Sequence, residues 1–194
     1  MCSARAWQTE PMGIIYNTSM NPSKNELLAK WLVTQDFYDG QGAPDLQDVG
    51  GFRLEDPAGE VGMELRLVAD RADRSEVIYH VPFSYRAEAL EDAEAYLVGT
   101  SDHGILGLRY IYDATGDPVF TAQLNELLAG RAVPQHQNNS FEEDSNVRVL
   151  GNGVSGTLEV IRRPVAGEVT GQGVVGSWEN ALGQPLSGLV LRIA

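Results

Sequence analysis

The chain has 194 residues, 43% of them apolar and 21% charged, with a formal net charge of −13. A globular chain of this length buries about 70% of the surface that its unfolded form exposes. The acidic excess, with no basic cluster larger than Arg162-Arg163, excludes nucleic acid and anionic membrane surfaces as expected partners, because both are held by concentrated Lys and Arg.

No apolar run approaches the roughly 20 residues needed to span a bilayer. The start from Met1 to Pro11 lacks the apolar stretch of a secretory signal, so the cytoplasm is the expected compartment. Cys2 is the single cysteine, which rules out an intrachain disulfide and a cysteine-based metal site within one chain. Residues 1–13 read as a flexible leader and residues 14–130 as a main domain.

In chain order, Ile14 to Thr18 reads as a strand. Ser23-Lys-Asn-Glu26 is a capping box that starts a helix running to Val33, with Leu27, Leu28, Trp31 and Leu32 on one side. Phe52–Leu54 and Val61–Ala69 flank Asp56-Pro-Ala-Gly59, a turn signature that predicts a hairpin. In its second arm Met63, Leu65 and Leu67 fall on one face and Glu64, Arg66 and Val68 on the other, the pattern of a sheet covered on one side. Val77 to Tyr85 predicts a further strand, with Pro82 arguing for an edge or a bulge. Ile105 to Tyr112 predicts another. Asp117-Pro118 then caps a helix to Ala129 that carries Phe120, Leu124, Leu127 and Leu128 on one face, with Gly130 able to end it.

Residues 131–146 are polar and read as a solvated linker. Beyond them Val147–Leu150, Gly156–Arg163, Gly173–Trp178 and Gly188–Ile193 are short β-like runs, so residues 147–194 predict a small β-rich extension packed on the main domain. Strands joined by short loops and bracketed by helices predict an α+β fold, a curved antiparallel sheet with packed helices.

Trp31-Leu-Val-Thr-Gln-Asp-Phe-Tyr-Asp-Gly40, Tyr79-His-Val-Pro-Phe-Ser-Tyr-Arg86 and Tyr112-Asp-Ala-Thr-Gly-Asp-Pro-Val-Phe120 together resemble the N-terminal cap of actinobacterial maltokinases, over most of Trp31 to Gly130. The resemblance implies a curved antiparallel sheet with helices and a link to the conversion of trehalose and maltose into α-glucan. Asn146-Val-Arg-Val149 and Thr157-Leu-Glu-Val-Ile-Arg-Arg-Pro164 are similar, more weakly, to the first strands of the kinase lobe that follows that cap. On that comparison Glu159 stands where the kinase strand carries its nucleotide-binding lysine, and a carboxylate there repels phosphate.

The chemistry of the residues leads to the same place. The chain's two lysines, Lys24 and Lys30, both fall on the first predicted helix, so no strand lysine serves nucleotide phosphates. No glycine-rich loop ends in Lys-Ser or Lys-Thr. His80, His103 and His136 are far apart with no close ligand pair, which predicts no metal site, and His80 reads as a structural histidine. Ser101-Asp102-His103 places triad residue types side by side, but triads are assembled in space and not by adjacency. The 27 acidic residues make any choice of a glycosidase carboxylate pair arbitrary, and the chain is too short for an eight-fold βα barrel of about 250 residues.

No catalytic residue and no cofactor are therefore expected. Gly99-Thr-Ser-Asp-His-Gly104 reads as a turn and as the best ligand-binding loop, with Thr100, Ser101, Asp102 and His103 offering donors and acceptors. Trp178 is added as an aromatic face for a sugar ring, with Tyr38 and Tyr85 as further aromatics of interest. The sequence points to a non-catalytic cap-like accessory module whose partner is an enzyme of α-glucan or trehalose metabolism. Its alternative is a sugar- or nucleotide-binding protein or a carbohydrate-active enzyme.

Overall fold

A computed structural model describes residues 19–72, 77–139, 142–151 and 156–193. The leader at 1–13 and the strand expected at Ile14–Thr18 lie outside the described residues. Strands β1 (Met20–Asn21), β2 (Leu46–Leu54), β3 (Gly62–Asp70), β4 (Val77–Arg86), β5 (Leu97–His103), β6 (Gly107–Asp113), β7 (Gln135–His136), β8 (Arg148–Leu150), β9 (Leu158–Val160), β10 (Gly173–Glu179) and β11 (Pro185–Ile193) form one 11-stranded sheet. Its order is β1-β5-β6-β4-β3-β2-β10-β11-β9, with β7 on β2 and β8 on β10, and the paired strands run antiparallel. Two α-helices, α1 (Lys24–Leu32) and α2 (Pro118–Leu128), accompany it among the described residues.

This corrects the α+β expectation. The molecule is mostly antiparallel sheet, and its two short helices do not form a packed layer. One core joins Met63, Leu65, Leu67 and Ala69 of β3 to Phe120, Leu124 and Leu127 of α2 and to Val174, Trp178, Val190 and Leu191 of the last two strands. The other, across the sheet, joins Val68, Tyr79, Val81 and Phe83 to Leu27, Leu28, Trp31 and Leu32 of α1. Each helix thus lies on a different face, and much of the cover over the α2 face is supplied by the sheet's own later strands. The one-sided sheet expected for the β3 hairpin is corrected for the same reason, since β3 is buried on both faces from Met63 to Asp70.

The sheet curls until it nearly meets itself. Just beyond β9, the Arg162 carbonyl accepts a hydrogen bond of 2.9 Å from the His80 amide of β4. The path β4-β3-β2-β10-β11-β9 therefore returns to β4, and all six strands send side chains into the α2-side core. Pro82 fits this arrangement. Side chains and amides alternate along a strand, so the Pro82 nitrogen points the same way as the His80 amide, away from β3. β6 pairs with β4 only from Phe83 to Arg86, so the missing N–H breaks no ladder bond even though β4 sits inside the sheet order.

The helix ends are set by local chemistry. Ser23 Oγ accepts from the Glu26 amide at 3.3 Å, and the Glu26 carboxylate accepts from the Ser23 amide at 2.8 Å. Asp117 accepts from the Val119 amide at 2.9 Å, Pro118 takes the first helical position, and Gly130 leaves α2 at φ +71°. The β2–β3 turn closes on Asp56, whose carboxylate accepts from the amides of Ala58, Glu60 and Val61, each at 3.0 Å.

Gly50 decides how the later strands join. It pairs with Trp178, and a Cβ there would sit 2.3 Å from the Ser177 carbonyl oxygen. Only glycine lets β10 approach β2 this closely. Gly50→Val is expected to lower stability by about 1–3 kcal/mol through overpacking and to speed amide exchange in β10 and β11 more than in β3. Unchanged exchange in β10 would refute the role given to Gly50. Trp31, buried between α1 and the sheet and 6.1 Å from the Phe37 ring, is expected to cost about 3–5 kcal/mol when changed to alanine. The check is the denaturation midpoint.

Candidate functional site

Alternation along β3 turns Glu64, Arg66 and Val68 to the α1 face. There, among Tyr79, Phe83 and the leucines of α1, the sequence buries two charged side chains that its pattern assigned to solvent. The Glu64 carboxylate is satisfied from three separate elements. Oε2 accepts from Lys24 Nζ at 2.7 Å and from the Tyr85 hydroxyl at 2.6 Å, and Oε1 accepts from Gln137 Nε2 at 2.7 Å. Lys24 is the first residue of α1, Tyr85 belongs to β4, and Gln137 follows β7.

Burial alone pushes the Glu64 carboxyl up, but the Lys24 ammonium and the Arg66 guanidinium outweigh it and hold the group down at about 2. Burial, then the Glu64 charge, raises the Tyr85 hydroxyl well above its ordinary value. The pair is therefore a fixed carboxylate acceptor and a fixed phenol donor. Arg66 is fully buried and stays charged, because Glu64 and Asp48 overcome the cost of its burial. Its Nη2 donates to Asn25 Oδ1 at 2.6 Å and to Asp48 Oδ1, and its guanidinium lies 5.0 Å from the Phe83 ring centroid. Arg66 Nε and Nη1 have no hydrogen-bond partner among the described residues.

Beside this cluster opens a polar cleft of about 390 Å³. Lys24, Asp48, Glu64, Gln137 and Asn138 line it. Glu179 at the end of β10, Asn180 after it, and Gln47 and Arg71 line it as well. A carboxylate held by three donors and ionised far below neutral pH is a poor proton donor and a poor base. What the cluster does chemically is hold the walls of the cleft in place. Among the described residues no group of His, Cys, Asp and Glu is arranged to hold a metal ion.

The residues expected to bind a ligand are not gathered there. Thr100, Ser101, Asp102 and His103 belong to β5 and not to a loop, and each pairs across to β6. Alternation sends Thr100 and Asp102 to one face and Ser101 and His103 to the other, so the four do not converge. Ser101 is buried and donates to the Pro22 carbonyl at 2.7 Å, and His103 Nδ1 accepts from the Leu106 amide at 3.2 Å at the hairpin tip. Trp178 is buried in the α2-side core and offers no free face. Tyr38 is tied to Asp70 at 3.2 Å.

A second set of contacts joins the later strands to the first half of the chain. Arg162 pairs with Asp113 and lies 4.9 Å from the Phe37 ring centroid, while Arg163 pairs with Asp39 at 2.5 Å. Asp39 also accepts from the buried Tyr79 hydroxyl at 2.6 Å. Glu159 lies in β9 paired with Arg192 at 2.6 Å. Nearby, His80 Nδ1 is 3.1 Å from the Val190 carbonyl oxygen, and burial, then Arg162, pushes the imidazole down to about 3. It is neutral, so Nδ1 is the donor in that bond.

Sequence reasoning missed Glu64, Lys24, Arg66 and Gln137. A usable signal was present in β4, where Ile78, Tyr79, Val81 and Phe83 put apolar side chains on both faces. A neighbour of such a strand is covered on both sides, and its charged positions need partners. Residues 31–117 match the maltokinase N-terminal cap domain, from Trp31 at the end of α1 through β6 to the residue that caps α2. No curated protein and no solved structure matches the chain.

Two outcomes test the cluster. Glu64→Ala removes the shared acceptor of a buried network and is expected to cost about 3–5 kcal/mol, read by chemical denaturation; a loss below about 1 kcal/mol would place Glu64 in solvent. The pH dependence follows from two depressed groups. His80 binds protons more readily unfolded, so stability is eroded as pH falls from about 6.5 towards about 3. Glu64 adds a loss as pH falls from 4.5 towards about 2. The melting temperature should begin to drop near pH 6.5 and fall more steeply below 4.5, and His80→Leu should remove the upper part of that slope.

Proposed function

Because residues 31–117 are of the maltokinase N-terminal cap type, we propose that this protein is a non-catalytic accessory module of maltose, trehalose and α-glucan metabolism. It acts by docking on an enzyme of that metabolism in the cytoplasm. The observation that carries the reading is the cap-domain match, and the saturated state of the buried Glu64 carboxylate is consistent with it. Glu64 is saturated by Lys24, Tyr85 and Gln137, so its charge is spent on structure.

The lysine inventory supports the same reading. Lys24 is committed to Glu64, and Lys30 is exposed on α1. On the comparison with the kinase strand, Glu159 takes the lysine's position and is itself paired with Arg192. In this proposal residues 14–130 are the cap-like domain, 131–146 connect it to the extension, and 147–194 pack back on it. The connecting segment contributes β7, which pairs Gln135 with Arg53 and His136 with Phe52. No helix among the described residues is long and apolar enough to cross a membrane.

Purified protein is expected to transfer no phosphate from ATP to maltose, and immobilised protein is expected to enrich enzymes acting on maltose, trehalose or α-glucan from native extract. Sugar phosphate formed in proportion to protein through a second purification step would overturn the non-catalytic reading. Enrichment of no enzyme of that class would overturn the metabolic one.

A further inference from the structure

The cleft beside Glu64 has hydrogen-bonding capacity that the fold does not use. Lys24 spends one of its three ammonium donors on Glu64. Gln137 must turn its amide nitrogen to Glu64, because a carboxylate only accepts, and its Oε1 is left without a partner among the described residues. Gln47 accepts from Arg71 through Oε1 at 3.1 Å, and its own amide donors have no partner among the described residues. Asn138 is exposed, and its side chain has no partner among the described residues.

The charges around the cleft balance. Lys24 faces Glu64, Arg66 stands behind Asp48, and Arg71 and Glu179 line the same space. A phosphate would meet Asp48, Glu64 and Glu179 together, and a polyamine would meet Lys24 and Arg71, so neither charge sign is selected. What such a wall recognises is a neutral molecule rich in groups that both donate and accept. The volume of about 390 Å³ lies near the lower end of the roughly 300–1,000 Å³ of small-molecule sites.

We propose that this cleft binds a neutral polyhydroxylated molecule of mono- or disaccharide size, with hydroxyl groups bridging the lining side chains of Gln137, Asn138, Glu179 and Gln47. Among the described residues Val49 is the one apolar side chain on the wall, and Trp178 is buried, so these residues offer no aromatic face for stacking. Affinity is accordingly expected in the millimolar range, about 1 mM or weaker. The site is distinct from the docking reading above and does not rest on it.

The experiment is a titration of the full chain followed by amide NMR, with maltose and trehalose as neutral probes, glucose 6-phosphate as the anionic probe and spermidine as the cationic one. Saturable binding of a neutral saccharide, with shifts centred on the side-chain amides of Gln47, Gln137 and Asn138, is the expected result. Asn138→Ala and Glu179→Gln change exposed residues and should leave the melting temperature unchanged while weakening binding by about 2–10-fold each. No saturation by about 100 mM, tighter binding of either charged probe, or saccharide binding untouched by both variants would overturn the proposal. Extract capture of an enzyme is read separately, so failure in one experiment leaves the other reading standing.

Discussion

A carboxylate buried in the middle of a β-strand must find partners or lose its charge, and Glu64 finds three. That requirement fixes the first turn of α1 through Lys24, the outer half of β4 through Tyr85, and the segment after β7 through Gln137. Arg66, one residue pair along on the same face, repeats the logic by drawing in Asn25 and Asp48. The two charges cost more to bury than an apolar pair of the same volume. In return they set how α1 sits on the sheet, since a helix held by leucines alone could slide along an apolar face.

The other face is governed by the reach of the sheet around its own core. β10 joins β2 at Gly50, β11 and β9 follow, and the chain then touches β4 again at His80. A short α2 cannot cover six strands, and the curl removes the need for a second helix. Arg162 and Arg163 hold the closing segment by reaching Asp113, Phe37 and Asp39 on the far side. The Arg163–Asp39 pair is half-exposed and weak by itself, whereas Arg162 reaches the buried Asp113, and together they contact the segment after α1 and the end of β6.

The same geometry explains why the cleft is polar. It lies where β10 leaves β2 after their contact at Gly50, so its lining joins Gln47 to Gly50 of β2 and Glu64 of β3 to residues at strand ends and in turns, Arg71, Gln137, Asn138, Glu179 and Asn180. Strand ends carry side chains that meet water. The buried network behind them keeps Gln137 and Lys24 in fixed orientations, which is the condition for a small polar site to recognise anything.

Helix starts were legible from local chemistry: Ser23 with Glu26, and Asp117 with Pro118, determine their caps within a few residues and need no distant partner. The Asp56 turn and the strands on either side were legible for the same reason. What the sequence could not express was sheet order. The end of β5 from Thr100 to His103 is polar and lies between Gly99 and Gly104, and β7 is two polar residues after Pro134, so they read as a loop and a linker until β6 and β2 supply their hydrogen bonds. That both faces of β3 would be buried, whether Trp178 would be a ligand platform or core, and which of 27 acidic residues would be enclosed were decided by contacts between residues far apart in the chain. Capping and turn formation are local energies written in neighbouring residues. Burial and strand pairing are set by where the rest of the chain goes, and only the folded sheet decides that.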